Sequence, residues 1–296
     1  MRRPEIISGR ENRWVKRFRA ALADRPEADG GAIGIEGPRL VEEALRSQVP
    51  IEAILVSEIG RKHLANISSR LSSETRLFAM SDSLFARLAA TETPQGIAAL
   101  VRPPRASFDD LGAGGIGSAG AAPFIVVLAG LQDPGNVGTI LRTAEALGAT
   151  GVATCKSGNI GTAHVFSAKV VRASAGAVFR LPIAEAIPLP VLQTQFRVSG
   201  IRMIAATSSD GLTDAVVPWQ ADFSGPLAVF IGNEGAGLPR ELEQSADVRV
   251  RIPLAQTRGG ECDSVESLNA ATAAAILLYE AARQRSALKN GAVPKP

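Results

Sequence analysis

Three short stretches carry the residue types from which a reaction site can be built. The first places Asn136, Gly138 and Arg142 just after the apolar run Phe124-Ile125-Val126-Val127-Leu128-Ala129. The second, Gly232-Asn233-Glu234-Gly235-Ala236-Gly237, sets one carboxylate among three glycines behind another apolar run, Leu227 to Ile231. The third runs from Ile252-Pro253-Leu254 to Glu266-Ser267-Leu268-Asn269 and opens directly onto an alanine-rich segment. Together they supply amides, carboxylates, one arginine and small polar groups, but no nucleophile–base pair. That inventory suits transfer of a group already activated on a bound cofactor, where the protein supplies orientation and electrostatics.

Other chemistries lack their residues. Cys155 and Cys262 are far apart and form no CxxC pair, and His63 and His164 are equally scattered, so no metal site is expected. No lysine followed by serine or threonine closes a phosphate loop, and no serine sits on a strand-to-helix elbow. The stretch at Asp133–Gly138 is not GxGxxG, and Ala153-Thr154-Cys155-Lys156 offers no acid at the end of the following strand. A nicotinamide-dependent dehydrogenase is therefore disfavoured.

These stretches must be held by regular elements. Buried runs at Phe124–Ala129, Gly151–Thr154, Arg202–Ala206, Leu227–Ile231 and Val248–Ile252 read as strands. Helices are expected over Val137–Leu147, Val165–Ala175, Pro190–Val198, Pro239–Ser245 and Ser267 to about Arg285, with Asn136 as a cap for the first. Val178–Leu181 reads as a further short strand. Repeated βα units imply a doubly wound parallel sheet, whose ligands bind beyond the carboxyl ends of the strands, where all three stretches fall.

Residues 1–102 read as a separate small α/β domain. Trp14, Val15, Phe18 and Leu22 form the apolar face of a helix from Asn12. Strands at Ala32–Glu36, Ile51–Ser57, Thr75–Met80 and Gly96–Val101 alternate with helices at Pro38–Arg46, Arg61–Leu71 and Asp82–Ala89. Residues 103–122, rich in glycine, alanine and serine, read as a flexible linker. A second domain is expected over 123–288, with 289–296 as a tail.

The chain has 296 residues, 46% hydrophobic and 21% charged, which describes packed cores rather than a disordered chain. No apolar run reaches the roughly 18 residues of a membrane span, and no signal-peptide pattern follows Met1, so a cytoplasmic location is expected. Net charge is +3, but Arg2, Arg3, Arg10, Arg13, Lys16, Arg17 and Arg19 crowd the first nineteen residues. Such clusters bind phosphate by releasing counterions, or stand as a solvated helix face.

The spacing Asn136-x-Gly138-x3-Arg142-x-Ala144, the Gly232-Asn233-Glu234-Gly235 loop, and Ile252-Pro253 leading to Glu266-Ser267-Leu268-Asn269 resemble the three ordered motifs of the SpoU/TrmH family. Val170 to Ala177 matches a fourth recurrent stretch. Glu36-Gly37-Pro38-Arg39 to Ala44 and Thr91 to Ile97 resemble that family's N-terminal substrate-binding domain, a fold similar to ribosomal proteins that bind kink-turn RNA. The likeness covers about 9–285, apart from the linker. This chain departs in the third motif, where Ala255 to Ser264 lengthens the step between proline and Glu266.

The resemblance implies a ribose 2′-O-methyltransferase that uses S-adenosyl-L-methionine and acts on RNA, with large-subunit (23S) ribosomal RNA expected before transfer RNA. A self-protective resistance enzyme and a non-catalytic RNA-binding assembly factor are the competing expectations. It also implies a trefoil-knotted second domain and a homodimer formed through it. Arg142 is then the central catalytic residue, best cast as an electrostatic clamp because a free guanidinium hardly loses its proton. Asn136 and Glu234 would orient Arg142 and the ribose, and Ser267 and Asn269 would fix the nucleotide. Thr207, Gly232, Ile252, Leu254 and Leu268 would hold the cofactor, and Arg13, Lys16, Arg39 and Arg172 would contact RNA.

Overall fold

The computed structural model describes residues 3–24, 31–113, 122–208, 214–255 and 267–289. The lengthened third-motif segment, Cys262 and most of the glycine-rich linker lie outside these residues. Two compact units are present, one made of residues 1–104 with Phe166–Phe179, the other of Arg105–Val165 with Arg180–Pro296.

The first unit contains β1 (Glu5–Ile6), α1 (Arg13–Leu22), β2 (Ile33–Glu36), α2 (Pro38–Arg46), β3 (Ile51–Val56), α3 (Arg61–Ile67), β4 (Arg76–Ala79), α4 (Asp82–Ala86) and β5 (Ile97–Val101). Asn12 caps α1 by accepting from Trp14 N at 2.8 Å, and Trp14, Val15, Phe18 and Leu22 are all buried, as the apolar spacing predicts. The mixed sheet runs β1-β4-β3-β5-β2. The short edge strand β1 has no signature in the sequence, since two residues cannot show a period.

Two sets of contacts in the first unit involve the stretches that carry the likeness noted above. The Glu36 carboxylate is buried and accepts from Ala90 N at 2.7 Å and from Thr91 Oγ1, so the end of β2 pins the loop before β5. Gly96 sits at φ +73°, and a Cβ on Gly60 would meet Gly96 O at 1.7 Å, so that close crossing needs glycine.

The second unit contains α5 (Phe108–Ala113), β6 (Phe124–Ala129), α6 (Pro134–Ala146), β7 (Gly151–Cys155), β8 (Ile183–Ala184), α8 (Leu189–Val198), β9 (Arg202–Ala206), β10 (Leu227–Ile231), α9 (Arg240–Ser245), β11 (Val248–Val250) and α10 (Ala270–Lys289); α7 (Ala168–Ala173) packs in the first unit. The six strands are all parallel, in the order β11-β9-β10-β6-β7-β8. Central β6 and β10 are fully buried, with Val126 opposite Val229. The expected parallel α/β sheet is therefore present.

Four local readings differ. Within the stretch expected as linker, α5 is helical; Leu111 is fully buried and its carbonyl accepts from Thr150 Oγ1 at 2.8 Å. Its glycine-rich surroundings hide one apolar anchor. The α6 helix starts at Pro134, not at Val137, and Asp133 caps it by accepting from Gly135 N at 2.8 Å. A first-turn proline needs no N–H partner, which moves the start upstream and leaves the Asn136 side chain free for other work. Val178–Leu181 is not a strand: Ala177–Phe179 form a 3-10 turn behind Ala175 and Gly176, both at positive φ. A buried apolar triplet cannot be told from a strand by pattern alone. Finally, β11 ends at Val250, two residues early.

Candidate functional site

The loops after β6, β10 and β11 and the start of α10 meet at the carboxyl edge of the second sheet. Asn233 shapes the β10 loop. Its Oδ1 accepts from Gly235 N and Ala236 N at 3.0 and 2.9 Å, and its Nδ2 donates to Gly130 O at 2.8 Å at the end of β6. Gly232 passes so close to the returning chain that a Cβ would lie 2.4 Å from Gly237 C.

Glu234 then reaches across to the β6 loop. It accepts from Gln132 N and Asp133 N, both at 3.3 Å, and from Asn136 Nδ2 at 3.0 Å. Partial burial pushes its carboxyl up, but the Asn136 bond and the backbone amides outweigh that, and the net pKa is lowered. Glu234 is therefore ionised at neutral pH.

Asn136, only 8% exposed, joins the third stretch through its other end, accepting from Asn269 Nδ2 at 2.9 Å. The Asn269 Oδ1 in turn accepts from Ala271 N at 2.9 Å, at the start of α10. Glu234, Asn136 and Asn269 thus form one relay through all three stretches.

Arg142 stands outside this relay. It is exposed and has no hydrogen-bond or ion-pair partner among the described residues. It lies six positions beyond Asn136, on a face of α6 about 120° away from it. Among the described residues Arg142 makes no direct hydrogen bond to Asn136 or Glu234.

Beside the relay lies a cavity of about 820 Å³. Thr207, Gly232, Ile252, Leu254 and Leu268, the five residues expected to hold a cofactor, all line it, as do Glu234 and Ser267. Asn136 and Arg142 do not. Ile231, Val250 and Leu277 add apolar wall, and backbone from the ends of β9, β10 and β11 supplies polar groups. Volume and lining suit an amphipathic small molecule, since ligand sites run from about 300 to 1,000 Å³. No group of three or more His, Cys, Asp or Glu could hold a metal ion among the described residues. Cys155 is buried, and burial pushes its thiol up to about 12, which makes it an inert core residue.

The four residues expected at RNA belong to the first unit. Arg13 and Lys16 are exposed on α1, Arg39 in the first turn of α2 and Arg172 in the last turn of α7. Arg13 lies 5.6 Å over the Trp14 ring, and Lys16 pairs with Glu11 at 2.6 Å. Asn233 and Asp133 were not singled out from the sequence as site residues. Their side chains satisfy neighbouring backbone, a role that residue type suggests only once the loop is known.

A parallel α/β sheet with a cavity and a polar relay at the carboxyl edge of its strands places this chain among the ligand-binding α/β proteins. The chain belongs to the SpoU rRNA methylase family, whose model matches residues 123–279. Residues 12–99 match the MRM3-like substrate-binding domain. It is thus an RNA methyltransferase. It is 30% identical to the 23S rRNA (guanosine(2553)-2′-O)-methyltransferase RlmP of Bacillus subtilis, over 92% of this chain and 97% of that protein. A solved AdoMet-bound rRNA methyltransferase from Sinorhizobium meliloti superposes with a TM-score of 0.76 and 28% identity, covering 95% of this chain and 98% of that one. The SpoU methyltransferase AviRb from Streptomyces viridochromogenes, in complex with AdoMet, gives 0.75 and 27%, over 93% and 100%. Among the described residues no helix is long and apolar enough to cross a membrane.

Proposed function

We propose that this protein methylates a ribose 2′-hydroxyl of large-subunit ribosomal RNA, using S-adenosyl-L-methionine. The observation that carries the reading is the relay from Glu234 through Asn136 to Asn269, which fixes three loops beside a cavity of cofactor size. When bound, the cofactor supplies an electrophilic sulfonium methyl. Thr207, Gly232, Ile252, Leu254 and Leu268 hold it, largely through backbone, while the apolar wall excludes water.

The remaining residues act on the nucleotide. Arg142, without a partner among the described residues, clamps the 2′-oxygen and the adjacent phosphate, favouring the oxyanion as the hydroxyl proton passes to solvent. Asn136, held on both sides, and the ionised Glu234 keep the β6 and β10 loops in register with α6. Ser267 and Asn269 fix the nucleotide at the start of α10. Arg13, Lys16, Arg39 and Arg172 take RNA phosphates.

Several further features belong to the same reading. The protein works in the cytoplasm as a homodimer formed through its C-terminal domain, which carries the trefoil knot. Working boundaries are 1–102 for the RNA-binding domain and 123–288 for the methyltransferase domain, with 103–122 joining them and its helix α5 packed on the second unit. The extra third-motif residues shape cofactor binding or substrate choice.

The RNA class is tested by offering labelled S-adenosylmethionine with fractionated RNA. Label confined to large-subunit ribosomal RNA is expected; label confined to transfer RNA contradicts the choice of substrate. Relatives named tRNA/rRNA methyltransferase make that contrast the informative one.

A further inference from the structure

The wall of the cavity holds an acid that none of these roles uses. Glu243, on α9, is only 8% exposed and lines the cavity. Its backbone is fully engaged: the N–H donates to Pro239 O at 3.1 Å, and the carbonyl accepts from Arg249 Nη1 at 2.8 Å. Its carboxylate forms no hydrogen bond or ion pair with any described residue. Arg249, which bonds the Glu243 carbonyl, turns its other nitrogens to Asp214.

A carboxylate on a cavity wall loses its water when a ligand fills the cavity, and it is then retained only if the ligand supplies a partner. On α9, Leu242 and Ala246 pack in the core, so packing alone would favour an apolar side chain at 243. Glu241, on the same helix, is exposed and needs no partner. The difference is that Glu243 lines the cavity.

We propose that Glu243 is a cofactor-binding residue whose carboxylate accepts hydrogen bonds from a donor group of bound S-adenosylmethionine. The inference rests on the cofactor reading above. The cofactor offers donors of two kinds, the ribose hydroxyls and adenine amine of the nucleoside, and the ammonium of the amino-acid arm. Either compensates a carboxylate that the protein leaves bare.

The test is calorimetric binding of S-adenosylmethionine and 5′-methylthioadenosine to the full-length wild type, Glu243→Gln and Glu243→Leu, with unligated Tm measured alongside. S-adenosylmethionine should bind roughly 10- to 100-fold more weakly to both variants, the scale of one charge-assisted hydrogen bond. Glu243→Leu should match or exceed the wild-type Tm without ligand. An equal loss for 5′-methylthioadenosine places the donor on the nucleoside; loss confined to S-adenosylmethionine places it on the ammonium. Unchanged affinity in both variants overturns the proposal, as does a loss of affinity matched by a fall in the unligated Tm of both. Failure of the wild type to bind S-adenosylmethionine at all would remove the cofactor reading, and this inference with it.

Discussion

Asn269 Nδ2 donates to Asn136 Oδ1 at 2.9 Å, a bond between residues 133 positions apart that joins the start of the last helix to the first turn of α6. The opposite end of the same amide donates to Glu234, 98 positions away. A carboxamide accepts at its oxygen and donates from its nitrogen at the same time, with the two atoms held in one plane. That double capacity suits the asparagine buried at 136, in a helix it does not cap.

Replacing Asn136 should therefore slow catalysis more than it weakens cofactor binding. Asn136→Ala leaves the cavity lining intact but frees two loops, and misplacement of that kind costs roughly 100-fold in kcat. Asn136→Asp should be no better, because it cannot donate to Glu234. Steady-state kinetics with cofactor Kd measured separately check this; equal losses in both variants' cofactor affinity would contradict it.

Glu234 makes the site acid-sensitive in a defined direction. Its folded pKa lies below the ordinary 4.5, so its charged form favours the folded state. That contribution is complete above the ordinary value and is lost as pH falls through the lowered one. Glu234→Gln should thus be less stable than wild type at about pH 6, with the gap closing towards about pH 3. Thermal unfolding across that range decides it, and a gap that widens on acidification would contradict the assignment.

Thr150 ties α5 to the sheet. Its buried hydroxyl accepts from Phe124 N at 2.9 Å and donates to Leu111 O at 2.8 Å. Thr150→Val keeps the shape and strands both backbone groups, which costs about 1–3 kcal/mol. A Tm lower by roughly 2–4 °C per kcal/mol is expected. An unchanged Tm would mean that α5 contributes little to the second unit.

Most of the second sheet was legible because parallel strands buried on both faces read as unbroken apolar runs, as at Phe124–Ala129 and Leu227–Ile231. The candidate site was legible as three motifs, since glycines, one acid and two asparagines in loops stand out against that background. What the sequence hid is contact. Nothing in the spacing shows that Asn136 bonds Glu234 and Asn269 while Arg142, six residues on, bonds neither. Nor does an acid on α9 announce that it faces a cavity: Glu243 and Glu241 look alike until burial separates them. The helix α5 was hidden for a similar reason, because Leu111 is one apolar residue among glycines and alanines.

The most direct test of the account is methyl transfer from labelled S-adenosylmethionine to ribosomal RNA by wild type and Arg142→Ala, followed by alkaline hydrolysis. Arg142 is exposed and unpartnered, so its removal should change stability by no more than about 0.5 kcal/mol and leave cofactor Kd unchanged. The account predicts label in alkali-resistant, 2′-O-methylated dinucleotides for the wild type and none for the variant. Label recovered in alkali-labile mononucleotides, or equal transfer by Arg142→Ala, would contradict it.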